Sequence, residues 1–251
     1  MSVFTILYRN IKWRFHNSFT IIVTILQPLL WLVLYSAVAS QTMQGTGIVN
    51  YTGFILPGLI VLVSFSASSS GGIMNYMMKA DGSFYRILIA PVRRTSIVLG
   101  QLLEAVLCTF LEVFIMGAIS LLFSVEIAAD IGAILLAILL VFLEAFFISG
   151  MAYGISLILP NEVVYETVMN AIVLPLFFLS TALFPAGGID GILGVIVNLN
   201  PFTHIINALR SLLLNGTLAT GELLFVFILY TVMGGISFGW ALHRLNRETA
   251  L

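Results

Sequence analysis

Residues 131–159 read IGAILLAILLVFLEAFFISGMAYGISLIL, an apolar run interrupted by one charge, Glu144. It exceeds the ~20 residues that carry a helix across a bilayer. Five further apolar runs lie near Phe19–Ser40, Tyr51–Met74, Ile97–Phe123, Tyr165–Phe184 and Leu223–Leu242. In lipid each segment must satisfy its own backbone N–H and C=O groups, so such runs fold as helices. Only 8% of the 251 residues are charged and 60% are hydrophobic, whereas a soluble domain carries roughly a quarter charged residues. The expectation is an all-α membrane protein, one transmembrane domain over residues 1–251 with six transmembrane helices.

The charges between the runs orient them. Six spans put the N-terminus, the 75–96 connection, the 160–164 turn and the C-terminus on one side. That side holds Arg9, Lys12, Arg14, Lys79, Arg86, Arg93, Arg94, Arg244 and Arg247, and the other holds Arg210 alone. Cytoplasmic loops carry the excess of Lys and Arg, so both termini are expected to be cytoplasmic, in a multi-pass cell-membrane protein. The N-terminus lacks the small-residue cleavage site of a signal peptide. Residues 1–17 instead suit an amphipathic helix in the headgroup plane. Val3, Leu7 and Ile11, flanked by Phe4, Tyr8 and Phe15, form one face; Arg9, Lys12 and His16 oppose it. Arg14 alone fits badly.

Polar residues within the spans divide into packing and pathway candidates. Ser64, Ser66, Ser68, Ser69 and Ser70 suit close helix packing or a lining surface. Glu104, Glu112 and Glu144 lie at membrane depth, where a carboxylate is costly and faces the bundle interior or a cavity. They read as a polar translocation surface, or as carboxyls at helix contacts with Glu104 near enough to the cytoplasmic end to reach water. Glu162 and Glu166 either cap the fifth helix or contact a soluble subunit. Cys108 is a lone cysteine in an apolar span and carries neither a disulfide nor a metal cluster.

Two stretches break the helical pattern. Residues 75–96, NYMMKADGSFYRILIAPVRRTS, hold a short helical segment Phe84–Ala90 stopped by Pro91. Residues 174–216 open as a span, break near Pro185, resume as a run too short to cross, and break again at Asn200-Pro201. Such backbone is tolerated only within protein or around a water-filled cavity. Downstream, Arg210 is expected to snorkel or to pair with an outer carboxylate such as Asp190.

Catalytic constellations are missing. The sequence has no GxxxxGK[ST], HExxH or GxSxG, no paired membrane aspartates and no arginine ladder. No clear repeat relates the halves, which disfavours an inverted-repeat secondary transporter. A proton-coupled transporter using Glu104, Glu112 and Glu144 stays open as the rival class.

The order LP-FFLS-FP, LNP-T and ALR, closed by Gly216, resembles the signature of type-2 ABC transporter permeases, the membrane subunits of ABC exporters. The resemblance extends to the N-terminal elbow and to the Gly, apolar run and APV-R pattern of the 75–96 loop. It implies a permease, not itself an ATPase, that exports a drug-like or lipid-linked amphiphile. A polysaccharide or a cation is the alternative cargo. Implied partners are two copies of an ABC ATP-binding subunit, which carry ATP and Mg, and a second copy of this chain or a homologue; no nucleic acid is implied. Phe84, Tyr85, Arg86, Ile87, Leu88, Pro91 and Arg93, with Glu162, would couple to the ATPase. Ser66, Ser69, Glu104, Glu112, Glu144, Phe178, Phe184, Asn200 and Pro201 would line the pathway or gate it, with residues 185–216 forming short re-entrant helices between the fifth and sixth spans.

Overall fold

The computed structural model describes residues 3–15, 26, 30–34, 37, 51–122, 125, 128–184, 191–215 and 220–248. Among these residues it is helical and has no strand. Helix α1 spans Val3–Arg14, α2 Tyr51–Ala80, α3 Ser83–Ile89 and α4 Arg94–Leu122. Helix α5 spans Ile131–Ser156, α6 Glu162–Phe178, α7 Gly191–Leu199, α8 Pro201–Arg210 and α9 Thr220–Glu248, and a π turn at Ser211–Asn215 prolongs α8.

By length and composition α2, α4, α5 and α9 can each cross a membrane, and α7 with α8 makes a fifth only if the bent pair counts as one span. The six-span expectation is therefore met in part. The first span, 19–40, falls mostly outside the described residues. The fifth is shorter than expected and displaced toward the N-terminus. Asn161 starts α6 three residues early, its side chain accepting from Val164 N at 2.9 Å. At the far end Asn200 Nδ2 donates to the carbonyls of Leu176 (2.6 Å) and Leu179 (2.8 Å), groups that the ending helix leaves free. The resulting 17 residues rise about 25 Å, short of the ~30 Å hydrocarbon core.

Helix α2 is the hub, packed along α4 and α5 and touching α6 and α8, while α9 packs mainly on α5. The α5–α9 seam closes through small residues. A Cβ on Gly150 would lie 2.5 Å from Ser237 Oγ, and one on Gly154 would overlap the Trp240 ring. Lipid supplies no hydrophobic drive between helices, so close backbone approach is what binds this pair. Gly154→Ala is expected to cost about 1–3 kcal/mol through overpacking, read as a lower unfolding temperature in nanodiscs. Gly235→Ala, with open space at its Cβ, should change it little.

Tyr76 Oη donates to Leu159 O (3.0 Å), and Lys79 pairs with Glu248 at 3.3 Å. The end of α2, the α5–α6 turn and the end of α9 thus lie together, with α3 beside them. Arg9 donates to Met78 Sδ at 3.0 Å, so α1 also meets this end, and the described parts of the four segments expected on one side share it.

Candidate functional site

Helix α1 meets the protein through Ile6, Asn10 and Arg14, a side that matches neither expected face, while Lys12 stays exposed. Ile6 and Asn10 are buried, whereas Phe4 and Tyr8 are 79% and 69% exposed. The Ile6 side chain sits against Gly100 of α4. Asn10 donates to Gln101 Oε1 (3.0 Å), and Gln101 donates to Gly71 O (3.2 Å). Arg14, the residue that fitted neither face, ion-pairs with Glu104 and donates to Ser70 Oγ at 2.7 Å. A helix between lipid and protein has two apolar neighbours, and a fully partnered polar face satisfies the protein side. His16 lies outside the described residues.

The same contact corrects the reading of Glu104. It is fully buried beneath Arg14 and does not reach water. Both guanidinium contacts go to its two oxygens. Glu144 lies elsewhere, on α5. It is fully buried, and neither of its oxygens has a hydrogen-bond partner among the described residues, although Ser64 is near. The three membrane carboxylates thus occupy three different settings and do not form one relay.

Glu112 lines a cavity of about 430 Å³ between α2, α4 and α6, with Trp31 at its wall. Ser66, Ser69 and Ser70 line it from α2, and Glu166 and Asn170 from α6. Tyr165 sets its geometry: the hydroxyl donates to Ser69 O at 2.7 Å, and the ring packs where only a glycine, Gly72, fits beneath it. The serine cluster therefore serves both roles. Ser68 faces the core, near Thr109 Oγ1 and Ala145 O at 3.4 Å each, while Ser66, Ser69 and Ser70 face the cavity. Glu166 is not a cap, since Asn161 holds that position. Glu166 lies in the second turn of α6, and nothing in the sequence singled it out for a cavity role.

At the shared end, α3 divides the expected coupling residues into two faces. Phe84 is buried, Ile87 and Leu88 are half-buried, and Lys79 Nζ stands 5.2 Å from the Phe84 ring centroid. Arg94 donates to Leu88 O at 2.9 Å. Tyr85, Arg86, Pro91 and Arg93 are exposed, as is Ile89, which the sequence reading had not singled out. Gly82 enters α3 at φ 74°, where a side chain would be strained. Asp81 accepts from Ser83 N at 2.8 Å, and hydrogen bonds from Ser83 hold its carboxyl below the ordinary range. That contribution is present at neutral pH and is lost as pH falls through the lowered value. Glu162 is exposed at the start of α6.

At the opposite end α7 and α8 meet at 73°. Asn200 accepts from Phe202 N (2.9 Å) while bridging to α6, and Pro201 O accepts from Tyr230 Oη (3.1 Å). Both positions hold the bend. Phe178 and Phe184 are exposed. Arg210 is tied inward, donating to Phe54 O (3.2 Å) and Thr181 O (2.7 Å) with its guanidinium 3.9 Å from the Phe54 ring centroid. Asp190 lies outside the described residues.

The family model for the ABC-2 type transporter matches residues 1–214. A protein of Cyanophora paradoxa named as a transport permease, ycf38, is 30% identical over 203 residues, covering 77% of this chain and 67% of its own length. Its namesake in Porphyra purpurea is 26% identical over 201 residues, with 79% and 68% covered. ABC transporter G family member 20 of Dictyostelium discoideum is 26% identical over 181 residues, which is 70% of this chain and 24% of that protein. With the match running from α1 through the π turn, the chain belongs to the ABC-2 type transporter family, as a membrane permease component of an ABC transporter.

Proposed function

We propose that this chain forms half of the membrane pathway of an ATP-driven exporter and moves a drug-like or lipid-linked amphiphile outward. In this reading two ATP-binding subunits supply the ATP and Mg chemistry, and a second copy or a homologous permease completes the pathway. The concentration of Lys and Arg at the α3 end favours that end as cytoplasmic in a cell membrane. Residues 19–40 would supply the first of six spans, and the α7–α8 bend would form the re-entrant outer gate.

The observation that carries the reading is α3. A seven-residue helix is too short to be stable by itself, yet here Phe84 and the Arg94 bond to Leu88 O fasten it to the bundle. A helix so fastened transmits a push. Its outward face, Tyr85, Arg86 and Ile89, presents an aromatic, a cation and an aliphatic side chain to a soluble partner, with Arg93 and Glu162 at the same end.

Purification from gently solubilised membranes, probed for a stoichiometric ATP-binding partner, tests this. The partner is expected to co-purify. Arg86→Glu should weaken the complex at least about tenfold if Arg86 meets a carboxylate there, and a Gly/Ser linker in place of residues 84–90 should abolish it. A well-behaved protein that comes down alone, and transports in sealed vesicles without ATP, overturns the reading.

A further inference from the structure

The cavity between α2, α4 and α6 has a chemical bias. Among the described residues, the charged side chains that line it are Glu112 and Glu166, and none is basic. Glu112 is 7% exposed and makes no hydrogen bond or ion pair among the described residues. The Arg14 guanidinium acts on Glu112 through space. Its fork is already committed to Glu104 and Ser70. A buried carboxyl that lines an open cavity with no hydrogen-bond partner among the described residues is costly to ionise, and a cation entering from outside would supply the missing contact.

The remaining lining decides which kind of cation. Trp31 and Phe65 bring aromatic rings to the lining, Met169 and Leu62 apolar side chains, and Ser66, Ser69, Ser70 and Asn170 polar groups. No group of three or more His, Cys, Asp or Glu that could hold a metal exists among the described residues. About 430 Å³ instead matches a small organic molecule. Aromatic lining together with a carboxylate suits a cation with apolar bulk.

We infer that this cavity binds an amphiphilic organic cation, with Glu112 as its buried counter-charge and Glu166 as an acidic residue at the exposed α6 wall. This names a substrate class for the pathway proposed above. Its transport role rests on that proposal, whereas binding itself does not.

The test is equilibrium binding of tetraphenylphosphonium to the full chain in nanodiscs of uncharged lipid, with tetraphenylborate as the anion of matching shape. Saturable binding of the cation and none of the anion is expected. Glu112→Gln should weaken the cation at least about tenfold, because a desolvated charge contact is removed. Glu166→Lys changes an exposed residue, so it keeps the test alive if Glu112→Gln folds poorly; it too should weaken binding, by several-fold. Glu222→Gln, at the other end of the bundle, should bind like the parent. Equal binding of cation and anion, absence of saturable cation binding, or unchanged affinity in folded Glu112→Gln and Glu166→Lys overturns the inference. The ATPase pull-down reads the other question separately. A complex that assembles while the cation fails to bind removes the substrate class and leaves the permease reading standing.

Discussion

Arg14→Ala is expected to destabilise the protein by about 3–5 kcal/mol, the usual consequence of removing one partner from a buried ion pair. Glu104 is fully buried and Arg14 is 11% exposed at its side chain, so water cannot replace the lost guanidinium. The loss should be local before it is global. Arg14 is the last residue of α1, and without it that helix keeps Asn10 and Ile6 as its buried holds on α4. Proteolysis within residues 3–15 should therefore accelerate before the spans unfold. Arg14→Lys should recover part of the loss, since a point charge retains attraction but cannot occupy both Glu104 oxygens and Ser70 together. Arg14→Met with Glu104→Gln should recover more, because no uncompensated charge stays buried. Lys12→Ala, at an exposed position on the same helix, should stay within about 0.5 kcal/mol of the parent. If Arg14→Ala and Lys12→Ala prove equivalent, the ion pair does not anchor α1.

That contact also marks where sequence reasoning stops. Apolar length located the starts of α2, α4, α5 and α9 to within three residues, and missed the ends of α2 and α9 by six, because lipid dictates a bilayer-length helix but not how far it runs beyond the bilayer. The face of α1 was not readable in the same way. Amphipathic periodicity identifies two faces but assumes that the polar one meets water. Here Arg9, Asn10 and Arg14 meet protein, and only the three-dimensional position of Glu104, ninety residues on, reveals it. Glu112 was legible as a costly carboxylate, and Ser66 and Ser69 as small polar residues. Their convergence on one cavity depends on the α2–α6 approach that Gly72 and Tyr165 allow. The length of α6 was likewise hidden, since its end is set by Asn200, which is remote in sequence and acts through a side-chain amide.

The second large effect is expected at Phe84. Phe84→Ala removes a side chain that is 2% exposed and should cost about 3–5 kcal/mol, the range for a buried aromatic cut to alanine. Little else fastens α3. The Lys79 contact to the ring goes with it, and what remains is the Arg94 bond to Leu88 O and the partial burial of Ile87 and Leu88. Seven residues cannot sustain a helix alone, so α3 should come off the bundle while the four long helices persist. Tyr85→Ala makes the contrast. Tyr85 is 58% exposed, and its removal should leave stability within about 0.5 kcal/mol. The two variants thus separate fastening from contact. Hydrogen exchange over residues 83–89 should rise in Phe84→Ala and stay unchanged in Tyr85→Ala. In membranes holding the ATP-binding partner, Tyr85→Ala should weaken assembly, as loss of an exposed contact residue does. Phe84→Ala should instead uncouple: whatever partner still binds would hydrolyse ATP without driving transport, because a loose helix carries no force into α2 and α4. If Phe84→Ala transports normally with α3 exchanging freely, force enters the bundle by another route, and the exposed turn at Glu162 becomes the surface to test.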